Sequence, residues 1–78
     1  MYTVYLLECA GGTLYTGITT DLSRRFKEHC AGTASRYTKA HKASKIHGIE
    51  KLPDRSSALK REAAIKRLSR EEKLKLIR

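Results

Sequence analysis

Acidic residues are scarce in this chain: eight Asp and Glu stand against seventeen Lys and Arg, and the 78 residues carry a formal net charge of +9. Such an excess suits a polyanion, whether DNA, RNA or an acidic membrane surface. Long apolar runs are missing as well. None approaches the roughly 20 residues needed to cross a bilayer, so a spanning helix is excluded and nucleic acid becomes the favoured partner. Cysteine is limited to Cys9 and Cys30, too far apart for a paired metal motif. One sits near a hairpin end and the other near a helix end, and both are expected to be reduced packing residues. A strand-like pattern begins at the N-terminus where a signal peptide would stand, and with the reduced thiols this points to a cytoplasmic protein. Repeats, linkers and low-complexity segments are absent. The length suits one compact domain over residues 1–78, burying only about 60–65% of its unfolded surface.

The strongest local signal is a hairpin. Tyr2–Leu7 and Thr13–Ile18 are rich in strand-forming Val, Tyr, Leu and Thr, and Ala10-Gly11-Gly12 lies between them. A two-residue turn at Gly11-Gly12 would put Tyr5 and Tyr15 on opposite faces. A three-residue turn pairs Cys9 with Thr13, sets Tyr5 opposite Gly17 and Tyr15 opposite Leu7, and groups both phenols on one face. The second register is preferred, with Gly17 expected to clear space for a substrate beside Tyr5.

Thr20 or Asp21 can cap a helix over 22–30, and Gly32 can end it. Leu22, Phe26 and Cys30 form its apolar stripe, with His29 inside the stripe, Arg25 on its edge and Arg24 pointing well away. Residues 33–44 are polar and basic and read as a working loop without structure of its own. A short third strand is expected over 45–51, weakened by Gly48. Pro53-Asp54 then opens a helix over 55–68, whose buried arc holds Ala58, Leu59 and Ile65 with Glu62 in its middle. An unpaired carboxylate there would be costly. Ser69 and Glu72 have capping-box spacing, and a last short helix turns Leu74 and Ile77 inward. The predicted fold is α+β: an approximately three-stranded antiparallel sheet flanked by about three helices.

Cutting a phosphodiester needs a metal to neutralise an oxygen, a base for water's proton and a cation for charge building on phosphorus. Glu62 can bind Mg²⁺ or Mn²⁺, since Mg²⁺ keeps most of its waters and often needs only one or two carboxylates. Arg25 can grip phosphate oxygens. Tyr5, Tyr15 or His29 can handle the proton, and a Tyr5 with that task is expected to face an open cleft. Arg24, Arg36, Lys39 and Lys42 are candidates for contact with the nucleic-acid backbone. Each residue also has a plain structural reading: a cross-strand tyrosine pair, a solvated arginine, a histidine favouring the helix dipole, and a Glu62–Lys66 pair one turn apart.

Tyr5, then Tyr15-Thr16-Gly17, then Arg25-x-x-x-His29, then Glu62 resembles the ordered signature of the GIY-YIG nuclease family, and its small stand-alone members most of all. The resemblance covers nearly the whole chain. It implies the family's small antiparallel sheet with flanking helices. It also implies roles: Tyr5 as general base or proton-transfer partner, His29 orienting or polarising it, and Tyr15 positioning water or phosphate. Gly17 would allow close packing, Arg25 would stabilise the transition state, and Glu62 would hold one divalent ion. The chain departs from the pattern where Thr3 replaces the first glycine and Thr16 replaces an isoleucine. It also lacks the asparagine that many active members carry after the glutamate. Two readings stay open. One is a metal-dependent endonuclease of low sequence specificity, acting on DNA rather than RNA, as a monomer or weak dimer, with a partner protein for targeting. The other is a basic nucleic-acid-binding module that keeps the fold without robust cleavage.

Overall fold

The computed structural model describes residues 1–77. Its hairpin consists of β1 (Tyr2–Cys9) and β2 (Leu14–Thr19). Tyr5 pairs with Gly17 and Leu7 with Tyr15, as the three-residue turn requires. The Cys9 amide donates to the Thr13 carbonyl at 2.9 Å, while Gly11 and Gly12 take φ values of 85° and 80°. A side chain at either glycine would resist that backbone. β3 (Ala43–Leu52) lies antiparallel along the other side of β1, giving the order β2-β1-β3. It is longer than the expected 45–51, and Gly48 sits inside it opposite Tyr5. A Cβ at Gly48 would stand 3.3 Å from Leu22 Cδ2, so the glycine lets the neighbouring helix close onto the sheet.

As the central strand, β1 contributes to two buried layers. Val4 and Leu6 face one way and Tyr5, Leu7 and Cys9 the other, as strand alternation dictates. The first face packs on Ala58 and Ile65 of α3 (Arg55–Lys66), and the second on Leu22 and Phe26 of α1 (Leu22–Cys30). Each fully buried aliphatic side chain contributes about 1.5–3 kcal/mol. Asp21, not Thr20, caps α1 by accepting the Arg24 amide at 3.0 Å, and Gly32 follows its end with φ 76°.

Cys30 is exposed and leaves the stripe, while His29 is wholly buried. The reason is helical drift. At 3.6 residues per turn, position i+7 falls about 20° from Leu22, whereas i+8 is displaced by about 80°. Leu59 is likewise no core residue, at 41% exposure. α3 ends at Lys66 rather than Leu68, with Asp54 as its cap accepting the Ser57 amide at 2.7 Å.

Residues 33–44 are not a structureless loop. They contain α2 (Arg36–Ala40), a fourth helix where about three were expected, started by Ser35, whose hydroxyl accepts the Thr38 amide at 3.1 Å. α4 (Arg70–Leu76) has the expected capping box between Ser69 and Glu72. Its inward residues are Leu76 and Ile77; Leu74 stays outside the core cluster. Arg70 ties it to the hairpin turn by donating to the Gly12 carbonyl at 2.7 Å.

Candidate active site

Tyr5 stands near the middle of β1 and His29 in the last turn of α1, and the two meet inside the protein. The Tyr5 hydroxyl lies 2.7 Å from His29 Nε2. Tyr5 is 1% exposed and His29 0%, so the phenol is not in the open cleft that its proposed task suggested. Gly17 allows the close packing expected of it, but the room it leaves is not for a substrate. A Cβ there would collide with Tyr5 Oη and Cζ, so the space over Gly17 belongs to Tyr5 itself and not to a substrate. Tyr15, two residues from Gly17 and on the same face, sets its ring edge against His29 with centroids 5.3 Å apart.

On its other side His29 Nδ1 lies 2.8 Å from Thr38 Oγ1, which in turn lies 2.9 Å from Ser35 Oγ. Neither Thr38 nor Ser35 was singled out in the sequence. The signal available was the serine cap spacing, Ser35 to Thr38. No apolar periodicity marks so short a helix. Tyr37, on the same turn of helix, packs edge-on to Tyr15 and His41, with centroids 5.6 and 4.6 Å away.

Arg25 lies half-buried next to Tyr5. Burial pushes the Tyr5 phenol above its usual value of 10.0, against a smaller downward pull from the Arg25 guanidinium. Burial also holds His29 below its usual 6.5, and the Arg25 charge adds to that effect. Both residues are therefore neutral near pH 7. Arg25 Nη1 pairs with Glu28 Oε1 at 3.2 Å, but its Nε–H is buried without a partner among the described residues. The contact with Tyr5 leads the influences that raise the Arg25 pKa, so the cation persists at every working pH.

Arg24 is exposed, at 57% of its side chain, as its place off the apolar stripe requires. It shares Glu28 at 3.9 Å and joins Arg25 in lining a hollow of about 280 Å³ with Tyr2, Ile18, Thr19 and Arg55. Arg55, at the start of α3, was missed because nothing in its neighbourhood of the sequence distinguishes it from other basic residues. Arg36, Lys39 and Lys42 are exposed on and just after α2, away from this hollow's lining.

Glu62 projects from α3, and its negative charge is felt at Tyr5 as a small upward push. The Glu62 side chain is 17% exposed, and its ion pair with Lys66 is long, at 3.6 Å. That leaves acceptor capacity for a cation that needs a single protein carboxylate and otherwise keeps water and phosphate oxygens. Among the described residues no three His, Cys, Asp or Glu cluster as a metal-binding group. The donor set therefore fits a Mg²⁺-type ion and not a multi-ligand cage.

A three-stranded antiparallel sheet with flanking helices, carrying a buried tyrosine–histidine pair beside an arginine and a carboxylate, defines a small α+β domain of the nuclease class. A family model of the GIY-YIG catalytic domain matches residues 1–75, and the chain belongs to the GIY-YIG family. It is 49% identical over 71 residues to a UPF0213 protein of Cupriavidus pinatubonensis, covering 91% of this chain and 79% of that one. A UPF0213 protein of Halobacterium salinarum is 44% identical over 73 residues, covering 94% and 95%. The solution NMR structure of a UPF0213 protein from Bacillus halodurans superimposes with a TM-score of 0.51 at 36% identity, over 99% of this chain and 83% of that one. No helix among the described residues is long and apolar enough to cross a membrane.

Proposed function

We propose that this protein is a divalent-metal-dependent endonuclease that hydrolyses nucleic-acid phosphodiesters, DNA in preference to RNA, with low sequence specificity. The observation that carries the reading is the 2.7 Å contact of the Tyr5 hydroxyl with a buried, neutral His29, beside a permanently charged arginine. A phenol whose pKa is raised makes a poor base alone. With His29 Nε2 as the receiving atom, the Tyr5 oxygen can accept a proton from water while its own proton passes to the imidazole. The water oxygen then bonds to phosphorus as the bond to the leaving oxygen breaks.

Arg25 supports the pentacoordinate charge. Its side chain is 30% exposed, so the accessible part of the guanidinium can donate to a phosphate oxygen. Glu62 would hold Mg²⁺ or Mn²⁺, and when bound the cation would supply charge neutralisation at a phosphate or leaving oxygen. Tyr15 borders the phenol and positions the incoming phosphate or water. Gly17 keeps the space that Tyr5 needs. Arg24 and Arg55 extend the positive surface from Arg25, and Arg36, Lys39 and Lys42 add exposed cations on and just after α2.

Supercoiled plasmid incubated with the protein and Mg²⁺ or Mn²⁺ is expected to be nicked, and chelation to stop the nicking. Salt-sensitive binding with no nicking under either metal would instead favour the binding-module reading. The exposed cations of α2 would serve that reading equally well.

A further inference from the structure

His29 is enclosed, and both its ring nitrogens are engaged by side chains: Nε2 by Tyr5 and Nδ1 by Thr38. Which nitrogen carries the hydrogen decides whether Tyr5 has an acceptor for its proton. Counting donors around the chain settles the choice. If Nε2 carried the hydrogen, it would donate to the Tyr5 oxygen. Among the described residues, His29 Nε2 is the one hydrogen-bond partner of the Tyr5 hydroxyl. The Tyr5 hydroxyl hydrogen would then be buried with no acceptor. If Nδ1 carries the hydrogen, every donor is served. Tyr5 donates to Nε2, Nδ1–H donates to Thr38 Oγ1, and the Thr38 hydroxyl donates onward to Ser35 Oγ at 2.9 Å or to the Ser35 carbonyl at 3.4 Å.

We propose that Thr38, held by Ser35 at the start of α2, is a positioning residue that fixes His29 as its Nδ1–H tautomer and so keeps Nε2 open to the Tyr5 proton. This rests on the nuclease reading only for its purpose; the tautomer itself is a property of the folded protein. Thr38 touches no substrate and acts through His29. Its own placement is firm: it is 2% exposed, and its amide is bonded to Ser35 Oγ at 3.1 Å. The polar segment 33–44 thereby becomes the outer support of the site. An imidazole locked in the wrong tautomer loses its function as a base even when its position is unchanged.

The test is a long-range proton–nitrogen NMR correlation of the ¹⁵N-labelled full chain, read at the His29 ring at neutral pH. The expected result is a protonated Nδ1 and an unprotonated Nε2. A wild-type spectrum with the hydrogen on Nε2 overturns the proposal, whatever the protein does to nucleic acid. Loss of the nuclease reading alone would leave that spectrum as expected. Thr38→Val keeps the side chain's shape and removes the acceptor. It is expected to move His29 toward the Nε2–H form and to lower plasmid nicking by ~10²-fold or more, with DNA affinity unchanged. Thr38→Ser should restore both the spectrum and the nicking. A valine variant that keeps the Nδ1–H tautomer, or a serine variant as defective as valine, overturns the proposal. Should the valine variant not fold, the wild-type spectrum and the serine rescue still decide.

Discussion

Tyr5 carries two burdens at once, packing and chemistry, and a single atom separates them. Tyr5→Phe keeps the ring over Gly17 and removes the hydroxyl that His29 Nε2 engages at 2.7 Å. Because that hydroxyl is buried and bonded, its loss is expected to cost about 1 kcal/mol of stability and to lower nicking by ~10²–10⁴-fold. Thermal unfolding and nicking on one sample check both. A destabilised variant with full nicking would remove Tyr5 from the mechanism and leave His29 as the base.

His29 makes a pH prediction with a definite sign. Its pKa in the fold is held below 6.5, so below pH 6.5 the unfolded chain takes up a proton that the folded chain resists. Stability should therefore fall as pH drops below 6.5, and nicking should fall with it as His29 loses its capacity to accept a proton. The raised Tyr5 pKa has the opposite sense: its contribution is present below pH 10.0 and lost as pH rises through the folded value. Melting temperature against pH, compared with His29→Gln, isolates the acid limb. An unchanged limb in that variant would assign it to another group.

At the scale of elements, the parts marked by local chemistry were legible in the sequence. Asp21, Asp54 and the Ser69–Glu72 pair start helices at the expected places, and the glycine turn sets the hairpin register. What escaped the sequence was set by tertiary contact. α2 has five residues and no apolar stripe, and its orientation comes from Thr38 meeting His29. The burial of Tyr5 depends on α1 closing over it, which strand alternation alone does not reveal. β2 offers a test of its own. Thr16 stands where the family pattern has isoleucine; it is 3% exposed, and its hydroxyl has no partner among the described residues. Thr16→Val should stabilise the protein by about 1 kcal/mol or more by removing a buried, unsatisfied polar group, which a melting curve would register. A lower melting temperature would mean that the hydroxyl is hydrogen-bonded after all.

For the whole molecule, the +9 charge and the spread of cations over α1, α2 and the start of α3 predict binding dominated by phosphate contacts. Affinity for duplex DNA should fall with salt at a log–log slope of about −0.9 per phosphate contact. Replacing Arg36, Lys39 and Lys42 together should make that slope shallower and weaken binding evenly across sequences. Salt-independent affinity would contradict a phosphate-dominated interface.

The most direct test of the central claim separates binding from cutting at Glu62. Glutamine is about as good a helix former as glutamate, so Glu62→Gln should leave α3 and the fold intact. Removing a negative charge should keep DNA affinity the same or raise it slightly. Plasmid nicking in Mg²⁺ or Mn²⁺, measured at saturating protein alongside binding, is the deciding measurement. The account predicts that Glu62→Gln binds DNA and fails to nick it. Full nicking by that variant would contradict it and leave Glu62 as no more than the partner of Lys66 at 3.6 Å.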